Sequence, residues 1–246
     1  SDEQVKSVWA SVNTYLKDPT TQGYKLNTPL GPNTLNFGRG FSFAYGEKEN
    51  GAIFSHMVVM FMNALFRRSF TKEAFTVFDS MFKLSTDTVN SKIYPGIPEY
   101  FSLTGKGMYH YLTGSASWLF LTVVNEMYGI KGDLGDLVLK PQLMGCQFDA
   151  KGHAMVTTTF GGKTFEITFI NPTHLDPDAW QTLTIADSSD LKSDLVLSQK
   201  SARLPKDTLT QLDDNRVYRL QFVYAHYEEV TALNIQHLTH AAFAPS

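Results

Sequence analysis

Two short strings hold the residue types best suited to chemistry. In Glu49-Asn50-Gly51-Ala52-Ile53-Phe54-Ser55-His56 a polar turn delivers a histidine to the mouth of an apolar run. Further on, Thr113-Gly114 precedes Trp118, Leu119, Leu121, Val123, Val124 and Met127, and Gly129 follows them. That order predicts a helix capped by Thr113, buried through its apolar residues and stopped at Gly129. A helix N-terminus offers unpaired N–H groups and the positive end of the helix dipole. Glycine at the first helical position lets an anion reach the backbone, and a threonine hydroxyl adds a donor, so phosphate would suit such a pocket. Blander readings stand beside these: His56 as a partly exposed histidine at a helix start, Thr113 as a plain cap, Gly114 as a small packing residue.

Other candidates are weaker. Arg39, in a glycine-flanked loop, has the forked donors to reach substrate or phosphate, or to stabilise the loop by an ion pair. Glu99 follows Pro98 and precedes Tyr100 and Phe101; a carboxylate beside aromatic rings suits sugars, which present polar edges and apolar faces, and an exposed loop glutamate is the alternative. Glu47 and Glu49 invite a two-carboxylate hydrolase, although glutamates in a polar loop are usually solvated. His237 and His240, with His226, Glu228 and Glu229 upstream, do not make a recognised metal pattern, so no metal site is expected. Cys146 has no second cysteine for a disulfide or a CxxC pair and reads as a small buried residue rather than a nucleophile.

The elements that must position these residues fall into two textures. Val5, Val8, Trp9, Val12 and Leu16 mark one face of a helix that needs a partner. A long proline- and glycine-bearing stretch from 18 to 51 reads as a functional loop. Met57 to Phe66 reads as a helix buried on every side, and Phe75, Phe78, Met81 and Phe82 mark another. After Gly129 the period drops to two: Phe165, Ile167 and Phe169 alternate with polar residues, as do Tyr218, Leu220, Phe222 and Tyr224, and Gly161-Gly162 reads as a hairpin turn. The class is therefore α+β, with helices and loops over 1–130 and an antiparallel β-sandwich over 131–246.

The balance of 21 basic against 24 acidic residues, net charge −3, argues against nucleic acid and anionic membranes as partners. The longest apolar stretch is about half of the roughly 20 residues needed to span a bilayer, so no membrane segment is expected. The opening Ser1-Asp2-Glu3, without an initiator Met or signal peptide, reads as the interior of a longer protein or a processed chain. A cytoplasmic protein is the expectation.

Taken in order, Lys48 to His56, Tyr111-Leu112-Thr113-Gly114-Ser115-Ala116-Ser117-Trp118, and Tyr128-Gly129-Ile130-Lys131-Gly132-Asp133-Leu134 resemble the C-terminal part of glycoside hydrolase family 94. This family comprises inverting disaccharide and oligosaccharide phosphorylases and the phosphorylase-like region of cyclic β-1,2-glucan synthases. The resemblance implies the C-terminal part of an (α/α)6 barrel followed by the β domain. It implies that His56, Thr113 and Gly114 bind phosphate, that a β-linked gluco-oligosaccharide is the other substrate, and that no cofactor is needed. The family's general acid, an Asp, lies well before the histidine motif, so it matches no residue here and is expected upstream, in an N-terminal remainder of the same enzyme. Family enzymes commonly form homodimers. The segment Ile93 to Phe101 is nearer to β-1,2-oligoglucan phosphorylases than to cellobiose phosphorylases. A glucan-synthase region, a self-contained hydrolase and a non-catalytic carbohydrate-binding module are the alternatives.

Overall fold

The computed structural model describes residues 1–31, 34–93, 96–110, 114–188 and 191–225. The chain is α+β and divides into two compact units, Ser1–Val123 and Val124–Ser246.

The first unit is built on helices. α1 (Asp2–Tyr15) begins with a reciprocal cap, in which Ser1 Oγ accepts from the Gln4 N–H and Gln4 Oε1 accepts from the Ser1 amino group. Its apolar spacing is as expected, yet none of its residues is buried. It leans on the unit through Trp9, whose ring lies 6.3 Å from Phe61 and 6.1 Å from Tyr24, and through an Arg68–Asp2 ion pair of 2.6 Å. β1 (Ile53–Phe54) leads directly into α2 (Ser55–Arg67). The expectation that this helix is buried on every side is corrected: Val58, Val59, Met62, Leu65 and Phe66 are buried, whereas Met57 is 42% and Met60 41% exposed. At 3.6 residues per turn Met57 and Met60 fall on the side opposite that stripe, and the elements of this unit cover only the stripe.

α3 (Thr71–Thr86) buries Ala74, Val77, Met81 and Leu84. Phe75, Phe78 and Phe82 form a row of rings 6.1 and 6.0 Å apart along its flank, with Phe82 exposed. After the single turn α4 (Thr88–Ser91), β2 (Tyr100–Phe101) and β3 (Gly107–Met108) join β1 in an antiparallel sheet of order β1-β2-β3. α5 (Gly114–Thr122) follows and runs into a π-helical turn, Val123–Met127. Expected to be buried through its apolar residues, α5 buries Ser115 and Thr122 and leaves Phe120 and Leu121 exposed, because a helix apolar all round has more apolar surface than its neighbours here enclose. No helix among the described residues is long and apolar enough to cross a membrane.

The second unit holds β4 (Ile130–Asp133), β5 (Asp136–Leu139), β6 (His153–Phe160), β7 (Lys163–Ile170), β8 (Thr182–Asp187), β9 (Val196–Ser198), β10 (Ser201–Leu204), α6 (Lys206–Gln211) and β11 (Val217–Ala225). Gly129, before β4, has a φ of +69°, and a side chain there would run into the Lys140 carbonyl. The strands form two four-stranded sheets, β4-β5-β10-β9 and β6-β7-β11-β8. Gly161 and Gly162, both at positive φ, make the expected two-residue turn between β6 and β7, with Phe160 opposite Lys163. Phe165, Ile167, Phe169, Leu220 and Phe222 are all 0% exposed, as their alternation predicts. The purely antiparallel expectation is corrected at one ladder: β11 runs parallel to β7, from Val217 opposite Thr164 to Val223 opposite Ile170. A parallel neighbour requires a long crossover, and the chain from β8 through α6 supplies it.

Candidate anion site

His56 is the second residue of α2 and half-buried. Its position is set from behind by the short sheet. Ile53 pairs with Phe101 and Phe54 with Tyr100, the Ser55 N–H donates to the Glu99 carbonyl at 3.0 Å, and the Glu99 N–H donates to the Tyr109 carbonyl at 3.1 Å. The preceding turn is equally constrained. The Gly51 N–H donates to Asn27 Oδ1, the Asn50 amide donates to the Phe43 carbonyl at 2.7 Å, and Gly51, at φ +79°, lies so close under the Tyr45 ring that a Cβ there would be 2.2 Å from it. Among the described residues no side chain caps the N-terminus of α2.

The fold brings His56 to Gly114. A Cβ built on Gly114 would lie 3.3 Å from His56 Cε1 and 3.9 Å from both ring nitrogens, so the imidazole rests over the bare first turn of α5. Trp118, one turn further on, meets the same imidazole with its ring plane at 87° and centroids 5.4 Å apart. Seven residues along α2 from His56, Asn63 donates to Thr122 Oγ1 at 3.0 Å, and that hydroxyl donates to the Trp118 carbonyl at 2.8 Å. His56 facing Gly114 and Asn63 facing Thr122 make α2 and α5 a parallel pair with both N-termini at the His56 end. Like ends of two helix dipoles repel, and an anion placed between them removes the penalty. Thr113 lies outside the described residues.

Beside this point sits a compact set of charged and phenolic groups. Lys48 Nζ is 3.6 Å from Glu99 Oε2 and 3.7 Å from the centre of the Tyr109 ring, with both Lys48 and Glu99 largely shielded. Tyr100 is 2% exposed, lies against Phe54 and donates its hydroxyl to Glu47 Oε2 at 2.7 Å. Burial first, and then that hydrogen bond, push its phenol well above the usual tyrosine range. Arg39 is mostly exposed, with Nε 3.3 Å from Glu49 Oε1. Among the described residues Glu49 Oε2, Asn50 Oδ1 and Ser55 Oγ are buried without a hydrogen-bond partner. All three belong to the segment that delivers His56.

Thus His56 and Gly114 meet, whereas Glu99, Tyr100 and Arg39 are each engaged by a neighbour, Lys48, Glu47 and Glu49 respectively. The sequence reading passed over Trp118, taken there as core, although its i+4 spacing from Gly114 places both on one helix face. Lys48 and Asn63 were missed as well, because their partners are remote in sequence. The His237 and His240 pair, with His226, Glu228 and Glu229, lies outside the described residues, and the expectation that Cys146 is buried is corrected: it is exposed.

No family model matches the chain. It is 26% identical over 180 residues to a cellobionic acid phosphorylase of Neurospora crassa, a match covering 68% of this chain and 22% of the relative. The chain thus spans about a fifth of the length of the curated relative it matches. It is distantly related to a phosphorylase, the kind of enzyme that the order of its motifs implies.

Proposed function

We propose that the chain is the C-terminal portion of an inverting glycoside phosphorylase, which cleaves β-linked gluco-oligosaccharides with inorganic phosphate to give α-glucose 1-phosphate and a shortened sugar. The observation that carries this reading is the parallel α2–α5 pair, with His56 held over Gly114 where the two N-termini meet. Phosphate would sit there, held by His56, the Gly114 backbone and Thr113. A phosphate oxygen attacks the anomeric carbon from the face opposite the leaving oxygen, which takes a proton from a carboxylic acid. That acid is an Asp upstream of this chain, and the helices of the first unit are the last part of an (α/α)6 barrel. Inorganic phosphate is a substrate, and no cofactor enters. Positioning and charge neutralisation at the shared helix end supply what this chain contributes to the barrier.

The test is glucose 1-phosphate formation from β-linked gluco-oligosaccharides and cellobionic acid, with and without phosphate, by this chain and by a longer polypeptide containing it. Phosphate-dependent product from the longer form, lost in His56→Ala while oligosaccharide binding persists, is the expected result. Phosphate-independent cleavage, or unchanged phosphate use by His56→Ala, overturns the reading.

A further inference from the structure

We infer that Trp118 is the positioning residue of the anion site: it fixes the plane of the His56 imidazole so that the ring faces the ligand. The inference rests on the phosphate reading above and extends it to a residue that does not itself touch the anion. A histidine at the start of a helix, half-buried and with a glycine opposite, has nothing in Gly114 to hold its ring. Gly114 has no side chain, and the two ring nitrogens are equidistant from the position a Cβ would take. χ2 of histidine is a broad torsion, so without a second wall the imidazole samples many planes. The indole supplies that wall. Its plane is perpendicular to the imidazole at a 5.4 Å centroid separation, the edge-to-face arrangement that aromatic pairs prefer.

Trp118 is itself tied down. Its carbonyl accepts from Thr122 Oγ1, which accepts from Asn63 on the helix that carries His56. These bonds hold the Trp118 backbone against the helix that carries His56, and Gly114 and Trp118, four residues apart, share one face of α5.

The experiment follows the His56 ring resonances by NMR in the longer polypeptide that contains this chain while inorganic phosphate is added, in the wild type and in Trp118→Phe, Trp118→Leu and Trp118→Met. In the wild type we expect NOEs between the His56 ring protons and the indole, a ring-current shift of those protons, and movement of the signal with phosphate. Trp118→Phe retains the orientation. The two aliphatic variants lose the ring-current shift and weaken phosphate binding about 2- to 10-fold, the worth of one aromatic pair. Phosphate that moves His56 equally in wild type and aliphatic variants overturns the positioning role alone. Phosphate that leaves the wild-type signal unmoved, while the NOE is present, overturns the phosphate reading. Absence of the NOE in the wild type refutes the assignment whether or not the aliphatic variants fold.

Discussion

The two units handle apolar surface differently. In the second, the inward rows of β7 and β11 are sealed, with Phe165, Ile167, Phe169, Leu220 and Phe222 wholly out of contact with water. In the first, α1 buries nothing, α2 leaves Met57 and Met60 open, and α5 leaves Phe120 and Leu121 open. The strands pair their faces within one chain. The helices carry apolar residues on more sides than their own unit covers, and the candidate site lies at the ends of two of them. Stability in the second unit is therefore set by packing, whereas in the first the short sheet and the turn behind His56 are held by hydrogen bonds.

The contrast can be broken by mutation, beginning with the strongest change. Gly129→Ala combines a positive φ with a side chain driven into the Lys140 carbonyl, and we expect a loss of about 4 kcal/mol or more, read as failure to accumulate folded protein or a collapse of the denaturant midpoint. Phe169→Ala, at a fully buried position of β7, should cost about 3–5 kcal/mol, measured by urea unfolding followed through Trp180, which lies in the same unit. A near-neutral result for either would show that the second unit is not sealed.

A smaller effect concerns pH. Asp136 accepts from Arg203 and from the Lys206 N–H, which together hold its carboxyl below its ordinary value of 3.8. A carboxylate depressed in the folded state contributes stability that is present above its unfolded pKa and lost as pH falls through the folded one. The second unit should therefore weaken as pH drops below that range, and Asp136→Asn should flatten this acid dependence in hydrogen exchange of β5 and β10. An unchanged acid profile would remove Asp136 from the account. The smallest effect is expected in the first unit, where Met60→Gln should alter stability by no more than about 0.5 kcal/mol, because the side chain already meets solvent. A large loss in thermal melting would show that the exposed side of α2 is covered in solution.

Much of the second unit was legible in the sequence because strand alternation and a Gly-Gly turn are local signals. The parallel neighbour of β7 was not, since nothing in Val217 to Ala225 encodes which edge it joins. In the first unit the helices could be read from their spacing, but not which sides stay open, because burial depends on partners rather than on periodicity. Phe82 shows this: it keeps the helical period and lies exposed. The meeting of His56 with Gly114 came from the order of the motifs and the family they resemble. Separated residues announce no contact by spacing. The partners of Glu99 and Tyr100, Lys48 and Glu47, were not readable for the same reason.

The parallel ladder between β7 and β11 also bears on how the chain folds. β6 and β7 close over a two-residue turn and can form early, within microseconds as an isolated hairpin would. β11 is separated from β7 by everything from β8 to α6, and loop closure over such a separation is costly before any contact rewards it. Until that strand arrives, one edge of β7 carries free backbone groups beside Phe165, Ile167 and Phe169. The refolding second unit is thus most prone to aggregate at this edge, in the interval between the first hairpin and the last strand.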